Sequence, residues 1–170
     1  MTKIGKSDSV IRVEEFLRKE VASYEVKELQ KTARTARDAA NSLNVCLGAI
    51  VKTLVFYCEH KGIRSPIIAL MSGDRTCDLD KLKDQLKLCG RISQMDAFEV
   101  KKITGFTIGG VSPIGLKSAV PIAIDESLFR FDEVWCAAGH PFFVFHISPG
   151  KLVQITKGIV SPNLAIGIEN

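Results

Sequence analysis

The sequence predicts a mixed α+β domain, and three observations carry the prediction. Helix-period patterns open the chain, at residues 9–20 and 32–44. Strand-like runs rich in β-branched and aromatic residues follow at 49–57 and 64–74, before an amphipathic helix at 78–87. Three more strand-like runs, 119–125, 133–139 and 142–147, precede a short helix at 148–156. This order lacks the regular strand–helix alternation of a doubly wound parallel sheet. With 170 residues, 46% of them hydrophobic, the chain fits one domain over 1–170 with a full core.

Each element has its own warrant. Residues 1–8 are polar and read as a loose N-terminus. In the first helix Val10, Val13, Phe16 and Leu17 recur at helical spacing. In the second, Thr35 and Asp38 form a capping-box signature, Ala36, Ala39, Ala40 and Leu43 make an apolar stripe, and Asn44 ends it. The strand at 64–74 is bounded by Pro66 and by Gly73–Asp74, and Gly62 serves the turn before it. Leu79, Leu82 and Leu86 lie on one face of the third helix, with Asp78 or Asp80 near its start and Lys87 near its end. Residues 93–105 read as a short helix and then a strand. Ser148 caps the last helix, with Pro149 in its first position.

The totals exclude several classes. No run approaches ~18 apolar residues, so no membrane helix is expected. The N-terminus lacks the apolar core of a secretory signal. The five cysteines are odd in number, and no CxxC pair occurs, which argues against a disulfide framework or a zinc site. Most are expected to be buried in a reducing cytosol, with Cys77 the most exposed. A net charge of +4 is mild, and no arginine-rich tail suggests duplex DNA as a partner. No metal or cofactor is expected.

Lys52 stands out because it interrupts the apolar run GAIVKTLVFY. Strand alternation puts it on the same face as Ile50, Leu54 and Phe56. An ammonium there must reach out to water, pair with a carboxylate, or line a cavity whose ligand is anionic. A protective edge-strand lysine is the plainer alternative. The second feature is Gly109-Gly110-Val111-Ser112-Pro113. It matches neither phosphate-binding glycine motif, so it is a plain turn or an anion-binding nest. The third is Ala137-Ala138-Gly139-His140-Pro141, a tight small-residue corner or a pocket wall. His140 lacks nucleophile or acid companions nearby, and His60 and His146 are isolated. Asp125 and Glu126 are placed to end a strand and start a turn. Lys27, Lys31, Arg34 and Arg37 flank the second helix, and Lys101, Lys102 and Lys117 flank the glycine loop. Such residues are solvated faces or guides for a phosphate backbone.

Taken in order, AIVKTLVF, TGFTIGGVSPIG, PIAIDESL, EVWCAAGHP and SPGKLVQIT, with TARDAANSLN upstream, resemble the YbaK/ProX family. These are free-standing aminoacyl-tRNA deacylases related to the editing domain of bacterial prolyl-tRNA synthetases. The resemblance spans residues 9–160. It implies a curved, barrel-like mixed sheet surrounded by helices. It also implies hydrolysis of a small mischarged amino acid (2-aminobutyrate, alanine or cysteine) from tRNA, with tRNA-Pro expected, in the cytoplasm and without a cofactor. Carried over, Lys52 and Gly110 are the catalytic residues. Thr53, Gly109, Val111, Ser112, Pro113, Ala137, Gly139 and His140 bind substrate. Backbone N–H groups of Gly110 and Val111 would hold the ester carbonyl and its oxyanion. Lys52 would orient the terminal nucleotide. Prolyl-tRNA synthetase is the expected protein partner. Ala137 and Val144 replace the serine and acidic residue of cysteine-clearing members, and Thr53 replaces the asparagine of alanine-clearing ones. The alternatives are a non-catalytic module binding the acceptor end or the synthetase, and a protein adaptor.

Overall fold

The computed structural model describes residues 5–167. Part of the N-terminal stretch expected to be loose therefore lies outside the described residues. Helix α1 runs Asp8–Glu20, with Val10, Val13 and Leu17 buried as the spacing predicts. Strand β1 (Val26–Glu28) follows, then α2 (Ala36–Leu43). Thr35 and Asp38 form the predicted capping box, and Asn44 ends α2 in the left-handed conformation at φ 54°.

The long hairpin is β2 (Val51–His60) with β3 (Ile63–Ser72). It turns through Lys61 and Gly62 at φ 49° and 78°, the two positive φ angles that a tight hairpin turn matching strand twist requires. Pro66 lies inside β3, opposite Tyr57, and not at its boundary. It is accommodated because the neighbouring strand pairs with β3 only over Ile68–Leu70. Next come β4 (Arg75–Cys77), α3 (Leu79–Gln85), β5 (Arg91–Gln94) and α4 (Ala97–Thr104). Asp78 is the N-cap of α3. The order over 93–105 is the reverse of the expected one, strand first and then helix. The deciding signal is a capping box of Asp96 with Glu99, which fixes the helix start.

The chain finishes with β6 (Ile122–Asp125), a 3₁₀ turn at Glu126–Arg130, β7 (Val134–His140), β8 (Phe143–Ile147), α5 (Pro149–Thr156), β9 (Ile159–Ser161) and β10 (Ala165–Gly167). The described strands form three sheets, in the orders β5-β2-β3-β6-β9, β1-β8-β7 and β10-β4. The fold is mixed α/β, and within the described sheets β3–β6 and β6–β9 pair in parallel. The sheets do not close into a barrel.

Burial follows the alternation of β2. Val51, Val55 and Tyr57 join the main core with α1, β7, β8 and α4. Leu54 and Phe56 join a second cluster under α3, with Met71, Cys77 and Leu164. Cys77 is thus buried, against the expectation, while Cys46 and Cys89 are exposed. The polar run around Cys77 hid its pairing with Ala165, which turns the thiol inward. Helix α1 also fastens the loops. Ser9 Oγ donates to the Gly139 carbonyl at 2.9 Å, and Arg12 Nε to that of Gly115 at 2.6 Å.

Candidate active site

The two larger sheets are linked by a parallel bridge between Ile50 and Trp135. Further along the same edge of β2, β5 pairs only with Phe56–Glu59. Between these contacts, among the described residues, no strand pairs with that edge over 51–55. A cavity of about 490 Å³ fills the gap, within the ~300–1,000 Å³ of small-molecule sites. Every residue from Ile50 to Phe56 lines it, odd and even alike. A strand can do this only by presenting its edge, because its faces alternate. Trp135, Cys136, Ala137 and His140 form one wall, Gln94, Met95 and Val100 the other, and Gly109 and Val111 contribute from the glycine loop.

Six of the predicted site residues therefore converge: Lys52, Thr53, Gly109, Val111, Ala137 and His140. Gly110, Ser112, Pro113 and Gly139 are not among the lining residues. A Cβ on Gly110 would stand 2.7 Å from the Cα of His140, so the loop packs directly on that backbone. The Gly110 N–H already donates to the Thr107 carbonyl at 2.9 Å. It is therefore not free to hold an oxyanion, which corrects the role expected for it. Ser112 is fully buried, and its hydroxyl accepts from the Ile114 N–H at 3.4 Å. Pro113 is buried beside it. Gly139, at φ 90°, lets β7 approach Ser9, whose carbonyl would be 2.7 Å from an added Cβ. These four shape the loops that carry the lining residues.

Thr53 is the most telling of the six. Its Oγ1 is buried and has no hydrogen-bond partner among the described residues. Such a group costs about 1–3 kcal/mol while unsatisfied. His140 Nδ1 accepts from the Phe142 N–H at 3.4 Å, and the ring stacks on Phe142 with centroids 5.8 Å apart. Spending the Nδ1 lone pair on the backbone leaves the neutral ring with its proton on Nε2, as a donor.

Lys52 behaves differently from expectation. Its stem lines the cavity, but its ammonium bends to the Leu54–Phe56 side and donates to the Arg75 carbonyl. Burial holds its pKa below the ordinary lysine value, opposed by the charges of Asp74 and Asp125. Those carboxylates belong to a built network. Arg130 Nη1 and Nη2 grip Asp74 at 3.0 and 2.7 Å, and this hydrogen bonding keeps the Asp74 carboxyl below its ordinary range. Asp125 is 2% exposed and accepts from the Ser72 N–H at 3.1 Å and the Ser127 N–H at 2.9 Å. It both ends β6 and caps the following turn, as the sequence suggests.

Met95, Val100, Ile108, Arg34, Trp135 and Val144 also line the cavity, and sequence reasoning did not place them there as a set. Two carried a signal: Arg34, as one of the basic residues flanking the second helix, and Val144, at the place of the acidic residue of cysteine-clearing members, which the structure pairs with Ala137.

The family model for the aminoacyl-tRNA editing domain matches residues 30–155. The chain belongs to this family. The match takes in β2, the glycine loop and β7–β8, which together build the cavity walls. EbsC of Enterococcus faecalis, provisionally named a Cys-tRNA(Pro)/Cys-tRNA(Cys) deacylase, is 29% identical over 73% of this chain and 73% of its own length. A proline–tRNA ligase of Caldicellulosiruptor saccharolyticus is 31% identical over 54% of the chain, a stretch that makes up 16% of the ligase. A crystal structure provisionally described as a trans-editing enzyme for prolyl tRNA synthetase superposes with a TM-score of 0.84. It is 36% identical and covers 96% of this chain and 100% of its own. Among the described residues no helix is long and apolar enough to cross a membrane.

Proposed function

We propose that this chain is a trans-editing aminoacyl-tRNA deacylase, clearing a small wrongly attached amino acid from tRNA, with tRNA-Pro as carrier and prolyl-tRNA synthetase as the enzyme it serves. The observation that carries the reading is the cavity at the open edge of β2, lined by Lys52, Thr53, Gly109, Val111, Ala137 and His140 together. The family match and the names of the relatives support it.

The chemistry asked of the site is modest. An aminoacyl ester is already activated. Water adds to its carbonyl, the C–O bond to the ribose breaks, and the ribose oxygen leaves with a proton. The Val111 N–H has no protein acceptor among the described residues and is the candidate oxyanion donor. Thr53 Oγ1 and His140 Nε2 supply hydrogen bonds to the ribose or the ester. Lys52 contributes the stem that shapes the wall and a half-buried positive charge beside it. Among the described residues no side chain lining the cavity is arranged as a general base, so water is oriented by substrate and site groups together.

The amino-acid pocket reads as small and apolar. Ala137 and Val144 face one another across β7 and β8, and Trp135, Met95 and Val100 complete the lining. An unpaired substrate hydroxyl would be penalised there, whereas one methylene changes binding by only ~1–3 kcal/mol. Alanine and 2-aminobutyrate are therefore expected together, ahead of serine.

A deacylation panel tests the reading. Ala-, 2-aminobutyryl-, Cys- and Ser-tRNA-Pro are incubated with purified protein, and remaining ester is counted. Alanyl and 2-aminobutyryl esters should be released fastest. Lys52→Met keeps the stem and removes the charge, and should slow release by roughly a hundredfold. Absence of release from every charged tRNA would overturn the activity, and a full rate in Lys52→Met would remove that charge from the mechanism.

A further inference from the structure

The cavity mouth must meet a charge that its interior does not answer. A nucleotide whose ribose and ester enter the gap brings its 5′ phosphodiester to the rim. Lys52 and Arg34 are the lysine and arginine lining the cavity. The ammonium of Lys52 is already spent on the Arg75 carbonyl, on the side of β2 that faces α3, where Asp74 and Asp125 attract it. Arg34 is exposed, and among the described residues its guanidinium has no carboxylate partner.

The backbone around Arg34 is built to hold it at the rim. The Ala33 N–H donates to the Pro141 carbonyl at 2.8 Å, and the Leu29 N–H to that of Phe142 at 2.7 Å, which straps the segment to the β7–β8 turn. Immediately after Arg34, the Thr35 capping box fixes the start of α2. From the other side Gly109, at φ 88°, comes so near that an added Cβ would lie 3.5 Å from the Arg34 Cα. The glycine loop, the strap and the β7–β8 turn thus meet at this residue. Ile108, 59% exposed, stands beside it as an apolar lip on the same cavity.

We infer that Arg34, and not Lys52, holds the phosphodiester that precedes the terminal adenosine, by the planar two-pronged contact guanidinium makes with phosphate oxygens. The inference rests on the reading that an RNA 3′ end enters this cavity. It assigns Arg34 a positioning role that fixes the nucleotide while Thr53, Val111 and His140 address the ester. Lys31 and Arg37, exposed on either side of it, continue the positive rim along the strap and α2.

The test is a binding comparison that does not depend on turnover. Two short acceptor hairpins ending in CCA are used, one natural and one with a neutral methylphosphonate at the linkage before the terminal adenosine. Wild-type protein should prefer the natural hairpin by on the order of tenfold, as expected for a charge-assisted contact. Arg34→Gln should bind both hairpins equally, at the wild-type level for the methylphosphonate one. Arg34→Lys should restore part of the preference. Unchanged discrimination in Arg34→Gln, or no discrimination in wild type, would overturn the assignment. Because Arg34 is exposed, unfolding temperatures of the variants should match wild type, and a large drop would mean that its role is structural. Preserved discrimination with no ester release from any charged tRNA would instead count against the deacylase reading and leave the phosphate contact standing.

Discussion

Thr53 shows how far single residues can be read. Its position after Lys52 is plain in the sequence, and alternation places it on the opposite face. What the sequence does not carry is that no protein group reaches its hydroxyl. A buried hydroxyl that the fold leaves unsatisfied is kept for something else or is a plain cost. Thr53→Val separates the two, because it preserves shape while deleting the group. Stability should stay level or rise, by up to about 1–2 kcal/mol in urea unfolding, while deacylation slows by on the order of tenfold as one ligand hydrogen bond is lost. A destabilised variant would mean that the hydroxyl is bonded in the folded protein after all. Lys52 carries the complementary lesson. The apolar run marks it as a lysine that must reach water, a carboxylate or a cavity, or guard a strand edge, but the direction of its ammonium is set by the carbonyl of Arg75, 23 residues further on. Nothing in GAIVKTLVFY encodes that choice.

At the scale of elements, long periodic segments were readable and short paired ones were not. Helix α1 announces itself by its stripe, α2 by stripe and capping box, and α5 by Ser148 and Pro149 at its start. Strands β1, β4, β9 and β10 have three residues each, too few for a period, and exist because a neighbour supplies the ladder. The glycine loop illustrates a finer distinction. Two adjacent glycines suggest backbone freedom for both, yet only Gly109 uses a positive φ. Gly110 is glycine because His140 leaves no room for a Cβ. Gly110→Ala should therefore lower stability by about 1–3 kcal/mol through overpacking, and it should loosen the β7 end that presents His140. Thermal unfolding checks the first. A variant as stable as wild type would show that the loop and β7 separate more easily than their contact suggests.

For the whole molecule, the cavity arises from contacts distant in sequence. Ile50 meets Trp135, and β5 returns to β2 only near its far end. No local pattern announces a gap between two pairings, which is why the lining from Met95, Val100 and Trp135 escaped sequence reasoning although the loops were found. The thiols offer a global check on the same packing. Cys46 and Cys89 are exposed, whereas Cys58, Cys77 and Cys136 are buried. Burial pushes the Cys77 thiol up to about 11 and that of Cys136 higher still, so neither supplies thiolate at neutral pH. Iodoacetamide followed by mass spectrometry should label Cys46 and Cys89 first, and the other three only on unfolding. Early labelling of Cys77 would contradict the pairing of β4 with β10.

The unpaired edge of β2 has one more consequence. Over residues 51–55 the cavity borders main-chain amides and carbonyls as well as side chains. Peptide groups are the same whatever the sequence, and so is the part common to all esters of the proposed kind: an amine, a carbonyl and a sugar. A site built on a strand edge can recognise the invariant portion of its cargo with atoms that substitution cannot delete. The side chains on the opposite wall, Ala137 and Val144 foremost, are then left to set which amino acid the proposed reaction removes.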